Sequence, residues 1–218
     1  MTVTIAIIAV TVVTSVAAFY NHRLTDDLIF DPPAVTYRNQ WYRFVTCGFI
    51  HADFPHLAFN MFSLYIFGEE VENKFMMIFG DKGRIVYILL YLTSLITCLL
   101  PTYSQHKENY GYRSLGASGA ISAIAFSFMV LLPTQGIGLI FIPVYIPAFL
   151  FAPLYLITTS VLAKKGNSHI NHSAHLWGAI YGVAFLIVIS YALSNFRVID
   201  NFLQEVNYYI QNKFSRFR

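Results

Sequence analysis

The sequence is short of charge. Of its 218 residues only 11% are Asp, Glu, Lys or Arg, against about 25% in an average soluble domain. Residues 114–163 contain none of the four. With 56% hydrophobic residues and a mean hydropathy of +0.56, the chain cannot cover a folded surface with polar groups, so the bilayer has to act as its solvent. A net charge of +3 lacks the dense basic surface that nucleic-acid binding needs. Cysteine is scarce as well. Cys47 sits in a polar-flanked stretch and Cys98 in an apolar run, which excludes a disulfide framework and a Cys-rich metal site. No Lys or Arg precedes the first apolar run, Thr2 to Phe19. That run also outlasts a signal-peptide core despite Ala17-Ala18, so it is expected to be a retained first membrane helix.

A membrane helix takes about 20 apolar residues. By that measure the further runs are Pro55–Phe67, closed by Glu69, Glu70 and Glu72; Ile85–Tyr103; Ser114–Leu132; Ile137–Ala163, with Pro143, Pro147 and Pro153; and His172–Leu193. The expected fold is an all-α, six-span polytopic bundle over residues 1–193. Residues 194–218 differ: Ile199, Phe202, Leu203, Val206, Ile210, Phe214 and Phe217 share one helical face, and Lys213, Arg216 and Arg218 crowd the end. That pattern predicts an amphipathic helix lying on the membrane surface. Residues 21–53 are too long for a simple connection. Within them Trp41-Tyr42-Arg43 suits the headgroup region. The Lys and Arg residues divide evenly between the two faces, so only the basic tail leans the C-terminus towards the inside.

Two short motifs carry chemistry. Gly116-Ala117-Ser118-Gly119 opens the charge-free run, and Ala174-His175-Leu176-Trp177-Gly178 opens the sixth span. Small residues of this kind pack membrane helices closely; they also leave room for a substrate backbone beside a nucleophile, which then needs a base. The second, fourth and sixth spans start from the same face. Parity therefore sets His56 and Asn60, Ser118 and His175 at similar shallow depth, with Ser118 about one turn in, or ~6 Å at 1.5 Å per residue. Gly178 and Gly182 would give the sixth helix a smooth face towards Gly119 and Ala123 of the fourth. No Asp or Glu occurs in the last three spans, so a Ser118–His175 dyad is expected rather than a triad. His56 and Asn60, one helical turn apart, could add donors to the Ser118 backbone N–H in binding an oxyanion, or could bond to the first loop instead. A rival set, His169, His172 and His175, has the spacing to hold zinc. It lacks an H-E-x-x-H and a carboxylate base, so no metal and no cofactor are expected.

Taken in order, His51, His56-Leu57-Ala58-Phe59-Asn60, Gly116-Ala117-Ser118-Gly119 and Ala174-His175-Leu176-Trp177-Gly178 with Gly182 resemble the rhomboid intramembrane serine proteases of the bacterial six-span type. The resemblance runs from Tyr42 to Gly182. It pairs Tyr42-Arg43 with the family's aromatic–Arg pair in the first loop, and Glu72 with the glutamate that ends the second span. It implies that Ser118 is the nucleophile, His175 the base, and His56 and Asn60 oxyanion donors. The substrates implied are transmembrane proteins whose helices unwind easily, and the membrane implied is the bacterial inner membrane. One departure stands out. Some bacterial members carry, four residues after the serine, a tyrosine that stacks on the histidine; this chain has Ser122, and Phe126 is a candidate replacement. The rival reading is a catalytically silent relative that binds and delivers membrane helices, but such proteins lack the serine or the histidine. The three prolines of the fifth span weaken it as a helix, so that span is expected to be the gate through which a substrate enters.

Overall fold

The computed structural model describes residues 1–139, 142–165 and 171–215, and the chain is mostly helical. In chain order the helices are α1 (Val3–Phe19), α2 (His22–Leu28), α3 (Pro32–Arg38), α4 (Arg43–Thr46), α5 (Phe54–Phe79), α6 (Gly83–Thr97), α7 (Leu100–His106), α8 (Ser118–Leu131), α9 (Ala148–Lys165), α10 (His172–Leu193) and α11 (Val198–Ser215). Short 3₁₀ turns at Cys47–Phe49 and Gly80–Lys82 precede α5 and α6. The stretch Phe54–His106 and helix α10 are long and apolar enough to cross a membrane, whereas α1, α8 and α9 are apolar but shorter.

Helix starts follow from their caps. Asp53 accepts from the backbone N–H of His56 at 2.7 Å, with Pro55 in the first turn. Asn171 accepts from that of Ala174 at 3.0 Å. The start of α1 is capped from outside: the Glu72 carboxylate accepts from the N–H groups of Val3 and Thr4 and from the Thr4 hydroxyl, each at 2.9 Å. These are donors that a helix cannot satisfy within itself, and a buried anion there also complements the helix dipole.

Three expected boundaries move. The second span does not end at Phe67. Glu69, Glu70 and Glu72 continue α5 for three more turns, because Glu is a good helix former and Glu72 has buried partners on α1. The third run is broken after Thr97, because Pro101 has no N–H for the Thr97 carbonyl and its ring would clash there; the proline sits instead in the first turn of α7. The fifth span is not one helix from Ile137. Gly136–Leu139 and Ile142–Pro147 form a two-stranded antiparallel hairpin, with Gly136 opposite Pro147 and Ile137 opposite Ile146. Pro143 and Pro147 therefore lie in a strand, where the β-branched Ile142, Val144 and Ile146 are at home. Only Pro153 lies inside α9. The all-α expectation is corrected by this hairpin.

Helix α8 is the centre of the molecule, enclosed by α5, α6, α9 and α10. Every residue from Gly119 to Met129 is buried. Its contact with α10 is backbone to backbone: a Cβ placed on Gly178 would overlap the Gly119 carbonyl oxygen, and one on Gly182 that of Ala123. The Ser127 hydroxyl spans the seam, donating to Ala123 O at 2.9 Å and towards Gly182 O at 3.3 Å.

Amphipathic α11 divides its apolar arc. Val198 is buried against the bundle, while Ile199, Leu203 and Ile210 remain exposed; Tyr209 meets Phe149 at the foot of α9 with ring centroids 5.9 Å apart. The parts of the expectation that concern Arg216, Phe217 and Arg218 lie outside the described residues.

The α8–α10 seam should be intolerant of side chains. Gly178→Val should lower the thermal midpoint in detergent by the equivalent of ~1–3 kcal/mol, the usual cost of overpacking a tight contact. Trp177→Val, at an exposed position on the same helix, should change it far less. Equal midpoints for Gly178→Val and wild type would show that the helices do not meet through these glycines.

Candidate active site

The turn before Ser118 is held from several sides. Gly116 has φ +112°, a conformation open to glycine and costly for other residues, and a Cβ there would come within 2.9 Å of the His56 ring. Ser114 and Phe30 exchange two backbone hydrogen bonds, at 3.0 and 3.1 Å. The Gly116 N–H donates to Cys47 O at 2.9 Å. Arg113 pairs with Asp26 at 3.0 Å and with Asp31 at 3.3 Å. Residues 21–53 thus form a clamp on the turn before Ser118, which gives that long segment its place in the fold. Inside the clamp the buried Arg43 donates to the carbonyls of Asp26 and Ile29 and to Gln40 Oε1, all at 2.7 Å, with its guanidinium over the Tyr42 ring. One consequence corrects the depth expected for Ser118: it is the first residue of α8, not a turn in, because Gly116 and the clamp keep residues 114–117 out of the helix. Its position at a helix N-terminus leaves neighbouring backbone N–H groups without helical partners.

His175 comes to Ser118 from the first turn of α10. Its Nε2 lies 2.6 Å from Ser118 Oγ, a close hydrogen bond even for this kind of pair. With Nε2 accepting from the serine, the imidazole hydrogen belongs on Nδ1, and Nδ1 lies 3.5 Å from the hydroxyl of Tyr155 on α9. The candidate Phe126 meets the Tyr155 ring, at 5.4 Å between centroids; it is Tyr155 that reaches the histidine. The sequence marks Tyr155 only as one of the bulky groups of the fifth span; its contact with the histidine was not legible because it lies far along the chain from either motif. His172 sits edge-on to His175 at 6.0 Å, and His169 lies outside the described residues.

Helix α5 supplies the remaining polar groups, His56 and Asn60. The His56 ring covers Gly116 and packs edge-on to His51 at 5.0 Å. Asn60 is buried, and one of its amide hydrogens goes to the His56 carbonyl of its own helix at 2.9 Å. Beside Ser118 a cavity of about 20 Å³, bordered by Cys47, Cys98, Gly119 and Ala174, has room for a methyl group or a single water. Glu72 lies at the far end of α5 with α1, remote from this chemistry. Its contacts, like those of Tyr42, Arg43, Gly119, Gly178 and Gly182, are with backbone and neighbouring helices.

Comparison with known proteins places these features in context. The Rhomboid domain family matches residues 38–192. YdcA of Bacillus subtilis (strain 168), provisionally designated a rhomboid protease, is 33% identical over 153 residues, 68% of each chain. RHOMBOID-like protein 12, mitochondrial, of Arabidopsis thaliana is 33% identical over 145 residues, 62% of this chain and 42% of that one. Rhomboid-like protein 11, chloroplastic, of the same plant is 30% identical over 158 residues, 69% of this chain and 53% of that one. The chain thus spans about half the length of these two plant relatives.

His51 links the site to α1. It is buried, and burial, with His56 as a lesser cause, pulls its pKa from an ordinary 6.5 down to about 4. Neutral at physiological pH, its Nε2 accepts from the Ala117 N–H at 3.4 Å, its Nδ1 meets the Ser15 hydroxyl at 3.0 Å, and that hydroxyl donates to Phe49 O at 3.0 Å. Its folded pKa lies below its unfolded one, so this contribution to stability is complete above about pH 6.5 and is lost as pH falls towards 4. The wild-type thermal midpoint should therefore drop more steeply between pH 7 and pH 4.5 than that of His51→Gln. Parallel curves would show that His51 is not a buried neutral group.

Proposed function

Because the chain belongs to the rhomboid family, whose members are membrane proteins, we propose that it is an intramembrane serine endopeptidase working through Ser118 and His175. The observation that carries this reading is the 2.6 Å contact between Ser118 Oγ and His175 Nε2. In this mechanism Ser118 gives its proton to His175 and attacks the scissile carbonyl, and the imidazolium then protonates the leaving amine. Water hydrolyses the resulting serine ester. The tetrahedral oxyanion is met by the Ser118 N–H, at the positive end of α8, and by side-chain donors of His56 and Asn60. The family's silent relatives would read differently, but this chain retains both reacting residues in contact. In the proposed topology α1, α5, α6, α8, α9 and α10 are the six spans, and α8, only 14 residues long, is sheltered from lipid by its neighbours. A bacterial plasma membrane is the proposed location, supported by the Bacillus relative; the two plant relatives are named for mitochondria and chloroplasts.

The substrates proposed are single-span membrane proteins whose helices unwind readily, since only an extended peptide can lie along the Ser118 turn. Entry is proposed between α5 and α9. The fifth span packs on α10 and α8 and has little contact with α5, and Pro153 removes one of its helical hydrogen bonds.

Ser118→Ala and His175→Ala should each abolish cleavage of a helix-destabilised membrane substrate while the protein still folds. His56→Ala and Asn60→Ala should lower kcat, by up to ~10²–10³ if each donor acts alone, with KM little changed. Near-wild-type turnover in either of the first two variants would sink the mechanism. Raised KM with intact kcat in the other two would make them substrate-binding groups.

A thiol cross-link engineered between α5 and α9 should suppress cleavage of the membrane substrate yet spare that of a short soluble peptide. If both are cleaved at the untethered rate, the entry lies elsewhere.

A further inference from the structure

The base in this site has no carboxylate to orient it. No Asp or Glu occurs on α8, α9 or α10, yet a neutral imidazole that accepts a proton at Nε2 must place its own N–H at Nδ1, in half-buried surroundings. An imidazole free to turn about its side-chain torsions would hold the serine poorly. Something must accept that hydrogen.

We propose that Tyr155, carried on the fifth span, is the positioning residue for His175: its phenolic oxygen accepts the Nδ1–H of the histidine while its own hydrogen goes to Ser122 Oγ. This rests on the Ser118–His175 reading given above. The hydroxyl lies 3.5 Å from Nδ1 and 3.4 Å from Ser122 Oγ, and such contacts in a resting enzyme are often long and tighten when substrate is bound. The Tyr155 ring is itself positioned, against Phe126 at 5.4 Å and Phe151 at 6.3 Å. Ser122 is the position where the sequence departs from the bacterial pattern. A small hydroxyl residue there leaves space on the α8 side of the histidine and supplies the partner that the phenol needs. Four residues from three helices thus form one chain, Ser118–His175–Tyr155–Ser122, with two ends on α8. Because Tyr155 belongs to the span proposed to give way for substrate, His175 is fully oriented only while α9 is seated. Entry and chemistry are coupled through one hydroxyl.

The decisive variant is Tyr155→Phe, which keeps the ring and its packing and removes only the oxygen. Its kcat should fall about tenfold, the equivalent of ~1.4 kcal/mol, with KM unchanged, and by the same factor for a membrane substrate and a short soluble peptide. Ser122→Ala should show a smaller loss of the same form, and the double variant should be no worse than Tyr155→Phe alone. Wild-type kcat in Tyr155→Phe would overturn the proposal. So would a loss confined to the membrane substrate, which would make Tyr155 a gate residue only. If Tyr155→Phe has a depressed thermal midpoint, Ser122→Ala measured on the same two substrates decides, with wild-type kcat counting against the proposal. Ser118→Ala, run alongside, separates the two readings: activity there defeats the Ser–His mechanism itself, whereas an inactive Ser118→Ala beside a fully active Tyr155→Phe defeats the positioning role alone.

Discussion

The backbone-to-backbone contact of α8 with α10 is the constraint on which the rest depends. Ser118 and His175 are 57 residues apart in sequence and stand at the starts of two different helices. Their side chains are short, so only a close helix approach brings Oγ to Nε2. Gly178 and Gly182 allow that approach by having no Cβ to collide with the carbonyls of Gly119 and Ala123. In a lipid solvent apolar side chains gain little by leaving their surroundings for a protein interface, and close backbone packing and interhelical hydrogen bonds have to supply the association. The seam has both, since the Ser127 hydroxyl bonds across it.

A second requirement is that the turn before Ser118 keep its shape. A helix running straight through residues 114–117 would bury Ser118 in the bundle and take its N–H into the ladder. Gly116 at positive φ, the Phe30–Ser114 bridge and the Arg113 ion pairs prevent this. The exposed ion pairs add little on their own; the buried Arg43 and His51 networks do more, because an unpaired polar group in their place would be costly. Glu72 performs a similar service at the other face, capping α1 from α5.

Much of this was legible in the sequence. On the six-span reading, parity put Ser118, His175, His56 and Asn60 on one face, and in the structure Ser118 meets His175 while the His56 ring covers Gly116. The pairing of Gly178 and Gly182 with Gly119 and Ala123 of α8 was legible from the small-residue spacing. The failures were local and have physical causes. Glu69 to Glu72 looked like a polar end, yet the α1 terminus that Glu72 caps is supplied from elsewhere in the chain. Pro143 and Pro147 looked like kinks in a helix, because an apolar run of β-branched residues reads the same as strand or span. The contacts of Tyr155 with His175 and of Ser15 with His51 were missed since the partners lie on other segments, and no spacing along one segment announces such a contact.

The central claim is that close packing of α8 and α10 turns Ser118 into a nucleophile. Fluorophosphonate labelling followed by peptide mass spectrometry tests it most directly. The account requires one adduct, on Ser118, that disappears in His175→Ala and is strongly reduced in a Gly178→Val protein that remains folded. An adduct on another residue, or full labelling of Ser118 when the histidine is absent or the seam is forced apart, would contradict it.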